Sequence, residues 1–381
     1  MTVSRRIAVG FLAQGIGVVG QLIFAWVAVT HHQPENAKST VEAIVLASIF
    51  STISRLGIDN FFISRFRHRR LFSTLLALFY GVALAVAISG VLLVVAVAFA
   101  SVLHDATKFF AIAPLTVALS INTVSTNFLI VRDRAPIALL LRGNVVFFTA
   151  AILLLLNAGS TWIIWLCTLS ALIPGAVILL SGYADARSIR RIASARYFLR
   201  WTRAYIYAGR GGILFGILSN VWANWIYILA NLEFLRVEEL LANLMQRVIN
   251  GFGVIARMFF AVDPYALKQG AVYAGLVSIS LLSLVLPIFL PLPGGATSVM
   301  VLVGIVLGLF QLARVRLYEA RRYQVLSLQV FALLLSTLWL ARDSQTLLVA
   351  VGAGALIGVS IDLVTHEPSV YGRLLHKRSG R

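Results

Sequence analysis

Arg55 and Arg247 are charged side chains set inside long apolar stretches, each in a periodic row of polar residues. An arginine at the centre of a membrane helix costs about 2.5 to 3.5 kcal/mol on insertion scales, so each needs water, an acidic partner or an anionic ligand. The row at Arg55 is Ser48, Thr52, Arg55, Asp59, and the row at Arg247 is Asn243, Arg247, Asn250, with Arg257 two turns on. Three more rows follow the same spacing: Gly10, Gln14, Gly17, Gln21; Thr116, Ser120, Thr123, Asn127; and Asn220, Asn224, Tyr227, Asn231. Steps of i, i+4, i+7 and i+11 place such residues on one helical face. Amides suit sugar hydroxyls and guanidinium forks suit phosphate oxygens, so these faces could replace the hydration shell of a polar, anionic headgroup.

Each row also has a plainer reading. Small and hydroxyl residues are common helix-packing surfaces in membranes, which suits the Gly10 and Thr116 rows as well as a cavity does. Asp59 lies one turn beyond Arg55, where an ion pair would neutralise both charges. Arg142 and Arg257 fall near the ends of their stretches and can snorkel to the interface. Asp362 is either a helix-end acid or a proton or sodium site, and with Asp59 it is a candidate for ion coupling.

Helices crossing lipid must position these rows. The chain has 381 residues, 60% hydrophobic and 12% charged, with a mean hydropathy of +0.92. A water-soluble domain of that composition could not cover its own surface. About 20 apolar residues cross the hydrocarbon core, and twelve stretches qualify. In the first half they are Ile7–Thr30, Ala43–Ser64, Leu71–Ala100, Phe109–Val131, Ile137–Asn157 and Thr161–Tyr183. In the second they are Gly211–Leu232, Leu240–Val262, Gln269–Leu290, Thr297–Leu317, Tyr323–Ala341 and Thr346–Thr365. The third is long enough to tilt strongly or to run on past the membrane.

Cations set the orientation. Of 32 Lys and Arg residues, 24 fall on alternate connections that include both termini, and only Lys38, Lys108, Arg236 and Arg342 fall on the other side. The positive-inside rule then puts both ends in the cytosol. The expected fold is an all-α polytopic membrane protein of about twelve transmembrane helices in two six-helix lobes. Residues 1–184 form the first lobe, 185–210 a basic cytosolic linker, and 211–381 the second lobe with its basic tail.

The net charge of +18 is explained by topology and anionic lipid rather than by nucleic acid, which is not an expected partner. In the linker, Arg187, Arg190, Arg191 and Arg196 interleave with Tyr197, Phe198 and Trp201, a pattern that reads as an amphipathic helix on the inner membrane surface. Cys167 is the lone cysteine, and His31 and His32 sit together in an outer connection, read as solvated, so no metal and no disulfide is expected. There is no P-loop, HExxH, GxSxG or DxD motif; no cofactor and no catalytic residue is assigned. The halves also echo each other: Arg55 precedes Arg65 by the interval at which Arg247 precedes Arg257, as in parallel repeats around a central substrate.

Arg5-Arg6 before a Gly/Gln-rich first helix, the run Ser54-Arg55-Leu56-Gly57-Ile58-Asp59, and the basic linker resemble the polysaccharide repeat-unit (O-antigen type) flippases. These belong to the multidrug, oligosaccharidyl-lipid and polysaccharide exporter superfamily. The resemblance covers nearly the whole chain in topology and is specific only around Arg55 to Asp59; the chain is shorter than is usual there. It implies a V-shaped pair of lobes, lined by the first, second, seventh and eighth helices, that flips a polyprenyl-diphosphate-linked oligosaccharide across the inner membrane. Arg55, Arg247 and Arg257 would hold diphosphate, and Gln14, Gln21, Asn220, Asn224, Asn243 and Asn250 would contact sugar. Implied partners are the lipid-linked oligosaccharide, membrane lipids, and a polysaccharide polymerase or glycosyltransferases. The alternatives are a drug or cation antiporter of the same architecture, and a membrane enzyme acting on the same carrier.

Overall fold

The computed structural model describes residues 16–17, 19–21, 23–24, 26–28, 30–55, 71–102, 106–131, 134–142, 144–185, 196, 198–200, 202–203, 214–215, 217–218, 323–340, 353–354, 356–357 and 360. Among these, every regular element is a helix: α1 (Pro34–Arg55), α2 (Leu71–Val102), α3 (Ala106–Val131), α4 (Ala135–Leu141), α5 (Asn144–Leu155), α6 (Ser160–Asp185) and α7 (Tyr323–Leu340). Helical residues between 16 and 30 precede α1. Four of the helices are long and apolar enough to cross a membrane. The chain divides into two compact units, Met1–Ala271 and Val272–Arg381.

The first unit distributes its polarity in the way lipid demands. Along α6 the exposed positions are Trp162, Trp165, Leu169, Ile173, Val177 and Leu180, and along α2 they include Val91, Val94 and Val95. The fully buried positions of α3 include Thr116, Ser120, Asn122, Ser125, Thr126 and Asn127. In water this arrangement would expose the apolar side chains and bury the polar ones at a cost on both counts. In hydrocarbon it is favourable, because lipid solvates the outer face and helix contacts satisfy the inner one. α3 is the hub, packing against α1, α2, α4 and α6, while α5 packs on α6.

Close approach replaces the hydrophobic effect as the source of cohesion. A Cβ on Gly175 of α6 would lie 3.1 Å from Asn122 Cα and 3.1 Å from Ile121 Cγ2, so α3 and α6 meet backbone to side chain only because position 175 is bare. Gly20 likewise lies beneath the Phe148 ring of α5, next to a tilted Phe24–Phe147 pair at 5.7 Å. Gly20, which lies outside the row of Gly10, Gln14, Gly17 and Gln21, therefore packs a helix.

Two boundaries differ from the sequence reading. The helix expected from Ala43 begins at Pro34, so most of the outer connection assigned to His31–Glu42 is helical. Pro34 sits in the first turn, where its missing N–H costs nothing, and Ala37, Thr40 and Val41 bury one face while Glu35, Lys38 and Ser39 remain exposed. The stretch Ile137–Asn157 is not one helix: α4 stops at Arg142, whose N–H bonds Ala138 O at 3.0 Å, and α5 starts at Asn144. Among the described residues the other expected spans recur within a few residues, as in α3, α6 and α7, and α2 runs all of Leu71–Val102, about 48 Å at 1.5 Å per residue; the spans expected at Gly211–Leu232, Leu240–Val262, Gln269–Leu290, Thr297–Leu317 and Thr346–Thr365 lie wholly or mostly outside the described residues.

In the second unit, α7 buries Leu326, Ser327, Gln329, Val330, Leu333 and Leu334 and exposes Leu328, Phe331 and Leu335.

Candidate functional site

Beside its polar row, α1 meets the polar row of α3 through Ser54. Ser54 Oγ and Ser120 Oγ share a 2.9 Å hydrogen bond, and Ser89 Oγ of α2 lies 3.2 Å from the same Ser120 Oγ. Three helices thus meet through serine hydroxyls near the middle of α3. Ser and Thr fit here because their hydroxyls can bond back into their own helices. Ser120 donates to Thr116 O (2.8 Å), Thr52 to Ser48 O (2.9 Å) and Ser48 to Ile44 O (2.7 Å).

Arg55 stands one residue from Ser54, at the same level, and is 8% exposed. Its Nε donates to Ser51 O at 3.0 Å and its Nη2 to Thr52 Oγ1 at 2.7 Å. The guanidinium is thereby folded back along α1 rather than extended to the end of the bundle. The bond to Thr52 makes a relay of Ser48, Thr52 and Arg55, three of the four positions in the expected row. A buried guanidinium has five N–H donors in a fixed plane, and an anion that accepts two of them side by side gains both charge and geometry. Among the described residues no Asp or Glu is buried.

On the other side of α3, Asn122 Nδ2 donates to Ala171 O of α6 at 2.9 Å. Ala171 lies just before Pro174, whose ring removes the bond that Ser170 O would otherwise accept, so this asparagine braces a weakened turn. Asn122 Oδ1 and Ser125 Oγ are buried with no hydrogen-bond partner among the described residues. Neither Asn122 nor Ser125 belongs to the Thr116 row; the one available signal was that α3 carries polar residues on more than one face.

At the outer end a second missed residue appears. His31 Nε2 donates to Leu154 O at 2.9 Å, while Gln33 N–H donates to His31 Nδ1 at 3.0 Å, and Asn36 Nδ2 donates to Ala158 O at 2.9 Å. Leu154 and Ala158 belong to the end of α5, where Asn157 takes φ 56° and Ala158 N–H returns to Leu153 O at 3.0 Å. His31 is therefore a clamp between the start of α1 and the end of α5, not the solvated residue expected. His32 stacks on it at 4.8 Å and is exposed.

Of the residues singled out from the sequence, Arg55 is placed with Thr52 and Ser48, and Gln21 is half-buried on the helical segment 16–30. Arg142 is half-buried and caps the end of α4. Gln14, Asp59, Asn220, Asn224, Asn243, Arg247, Asn250, Arg257 and Asp362 lie outside the described residues.

No protein-family model matches the chain, and no curated protein does either. Solved structures do. A MATE transporter in complex with Br-NRF aligns over 97% of this chain and 96% of its own, with a TM-score of 0.55 and 15% identity. A multidrug resistance MATE family transporter of the MOP superfamily, in its outward-facing conformation, aligns over 97% and 94%, with a TM-score of 0.57 and 11% identity. A third, MATE in complex with MaL6, covers 97% and 95% at a TM-score of 0.58 and 11% identity. At such identities what is shared is the fold: this chain is an all-α polytopic membrane protein built on the architecture of the MATE transporters.

Proposed function

We propose that the chain is an alternating-access transporter of the inner membrane, not an enzyme, and that its cargo is a polyprenyl-diphosphate-linked oligosaccharide moved from the inner to the outer leaflet for surface polysaccharide synthesis. The observation that carries the choice of cargo is Arg55, a guanidinium buried at the central level of the first unit whose Nη2 donates to Thr52 Oγ1. A guanidinium in that position repels a cationic drug and attracts phosphate. Exchange of its Thr52 and Ser51 contacts for phosphate oxygens would cost little, because the donors are already desolvated and oriented.

In this reading Arg247 and Arg257 complete the phosphate site from the second lobe, Gln14, Gln21, Asn220, Asn224, Asn243 and Asn250 contact sugar, and Asp59 or Asp362 couples an ion. With the cell interior negative, outward movement of an anion gains about 2.3 kcal/mol per uncompensated charge per 100 mV. The polymerase or glycosyltransferases that use the same carrier are the expected partners.

Drug or cation antiport is the second reading, and the fold likeness favours it more directly, since the neighbours described as multidrug transporters are MATE proteins. One experiment separates the two. In a strain whose only copy carries Arg55→Ala, lipid-linked saccharide is assayed on each leaflet alongside drug tolerance, with membrane insertion checked by immunoblot. Accumulation of completed units on the inner leaflet supports flipping; unchanged saccharide with lost drug tolerance supports antiport and removes the proposal.

A further inference from the structure

The linker between the expected lobes is helical at its described residues, 196, 198–200 and 202–203, and it is docked on the first unit through one side. Phe198 stacks on Tyr80 of α2 at 5.5 Å with the rings tilted by 55°. It also packs against the buried cluster that includes Leu75 and Leu78 of α2, Phe128 of α3 and Ile178 of α6. Thr202, one turn on, turns its hydroxyl into the same buried side. Phe198 is thus a plug at the arginine-rich end of the bundle.

The opposite side of this turn is open. Arg196, Leu199, Arg200 and Arg203 are all exposed, Leu199 by 65%. Their spacing of i, i+3, i+4 and i+7 is one helical stripe. No acidic residue occurs between Asp185 and Glu233, so nothing in the linker itself neutralises the stripe. A leucine in the middle of three arginines has no use against water or a purely charged partner. Against a bilayer it enters the boundary between headgroups and acyl chains while the arginines reach phosphate.

We propose that the described linker residues 196, 198–200 and 202–203 belong to an anionic-phospholipid docking helix, pinned to the preceding helices by Phe198 and pressed on the inner leaflet by the Arg196, Arg200 and Arg203 face. The sequence pattern assigns the lipid side to the whole interleaved run; Phe198 belongs instead to the protein side, and the lipid side is the arc opposite it. Because Phe198 packs against a buried cluster drawn from α2, α3 and α6, lipid bound on the far side bears directly on the packing of the bundle end. The inference does not depend on what the protein transports.

The test uses the full-length protein with Leu199→Cys labelled by an environment-sensitive dye; the native Cys167 is buried and out of the dye's reach. The labelled protein is placed in nanodiscs containing brominated phosphatidylglycerol or brominated phosphatidylcholine. Each engaged arginine favours anionic lipid about fivefold. Quenching by the phosphatidylglycerol should therefore need an at least about fivefold lower mole fraction than by the phosphatidylcholine. The difference should vanish in the triple variant Arg196→Gln, Arg200→Gln, Arg203→Gln. It should also shrink without any further substitution at about 1 M salt, where the Debye length is about 3 Å. Equal quenching by both lipids would show insertion without headgroup recognition and overturn the proposal. So would the absence of quenching by either, which would place Leu199 in water or under a soluble partner.

Discussion

Alanine at Gly175 and alanine at Gly90 are chemically the same change on two helices of one unit, and the structure gives them opposite consequences. Gly90 of α2 is exposed, with nothing within 4 Å of where a Cβ would stand, so Gly90→Ala gains helix propensity of about 0.5 to 1 kcal/mol and loses nothing. At Gly175 the same methyl meets Asn122 Cα and Ile121 Cγ2, both at 3.1 Å, and Asn122 N at 3.2 Å. Ordinary contact begins near 3.4 Å, so α3 must retreat by a few tenths of an ångström. It is held from retreating by the 2.9 Å bond from Asn122 Nδ2 to Ala171 O, one turn away on the same helix as Gly175. The propensity gain cancels in the comparison, leaving the overpacking term of about 1 to 3 kcal/mol as the difference between the two variants. Unfolding of both purified variants in the same detergent, followed by tryptophan fluorescence, measures it. Releasing the brace should relieve part of the strain, so Asn122→Ala combined with Gly175→Ala should be less harmful than the sum of the single changes. If Gly175→Ala were as stable as Gly90→Ala, the close packing of α3 on α6 would be refuted, and with it the placement of the buried polar faces of α3.

Three further outcomes follow from the same contacts. Asn157→Gly should leave stability within a few tenths of a kcal/mol, whereas Asn157→Val should cost about 1 to 2 kcal/mol in thermal unfolding, because φ 56° suits glycine and asparagine and not a β-branched residue. His31→Ala removes the bond to Leu154 O, worth about 1 kcal/mol, so amide exchange at the end of α5 should accelerate roughly fivefold while α6 is unchanged. Arg55→Lys keeps the charge but cannot bond Ser51 O and Thr52 Oγ1 together as a planar fork; saccharide flipping should fall at least about tenfold, and normal flipping would show that charge alone is read.

The sequence reading was strongest where the physics is a sum over residues. The spans ending in α3, α6 and α7 were legible because each residue adds its own transfer free energy, and the row Thr116, Ser120, Thr123, Asn127 because helical period is local. It was weaker where the backbone path changes. Nothing in the apolar run Ile137–Asn157 marks the end of α4 at Leu141 and the fresh start of α5 at Asn144, and Pro34 starts α1 well before the apolar run from Ala43. The Arg55 site was half legible: its row could be read from spacing, but Ser54 and Ser89 could not, since they owe their importance to neighbours on other helices.

Composition and periodicity by themselves determined that this chain lives in lipid, that it is helical, and that certain helix faces are polar, because those properties depend on residues and on partners three or four positions away. Tertiary structure alone decided that Ser54 meets Ser120, that His31 closes on Leu154 across 123 positions of chain, and that Phe198 faces protein while Arg200 faces out. Such pairings depend on how separate helices choose one another, and in a bilayer, where every apolar face is equally content with lipid, that choice rests on glycine gaps and a few hydrogen bonds that no local pattern records.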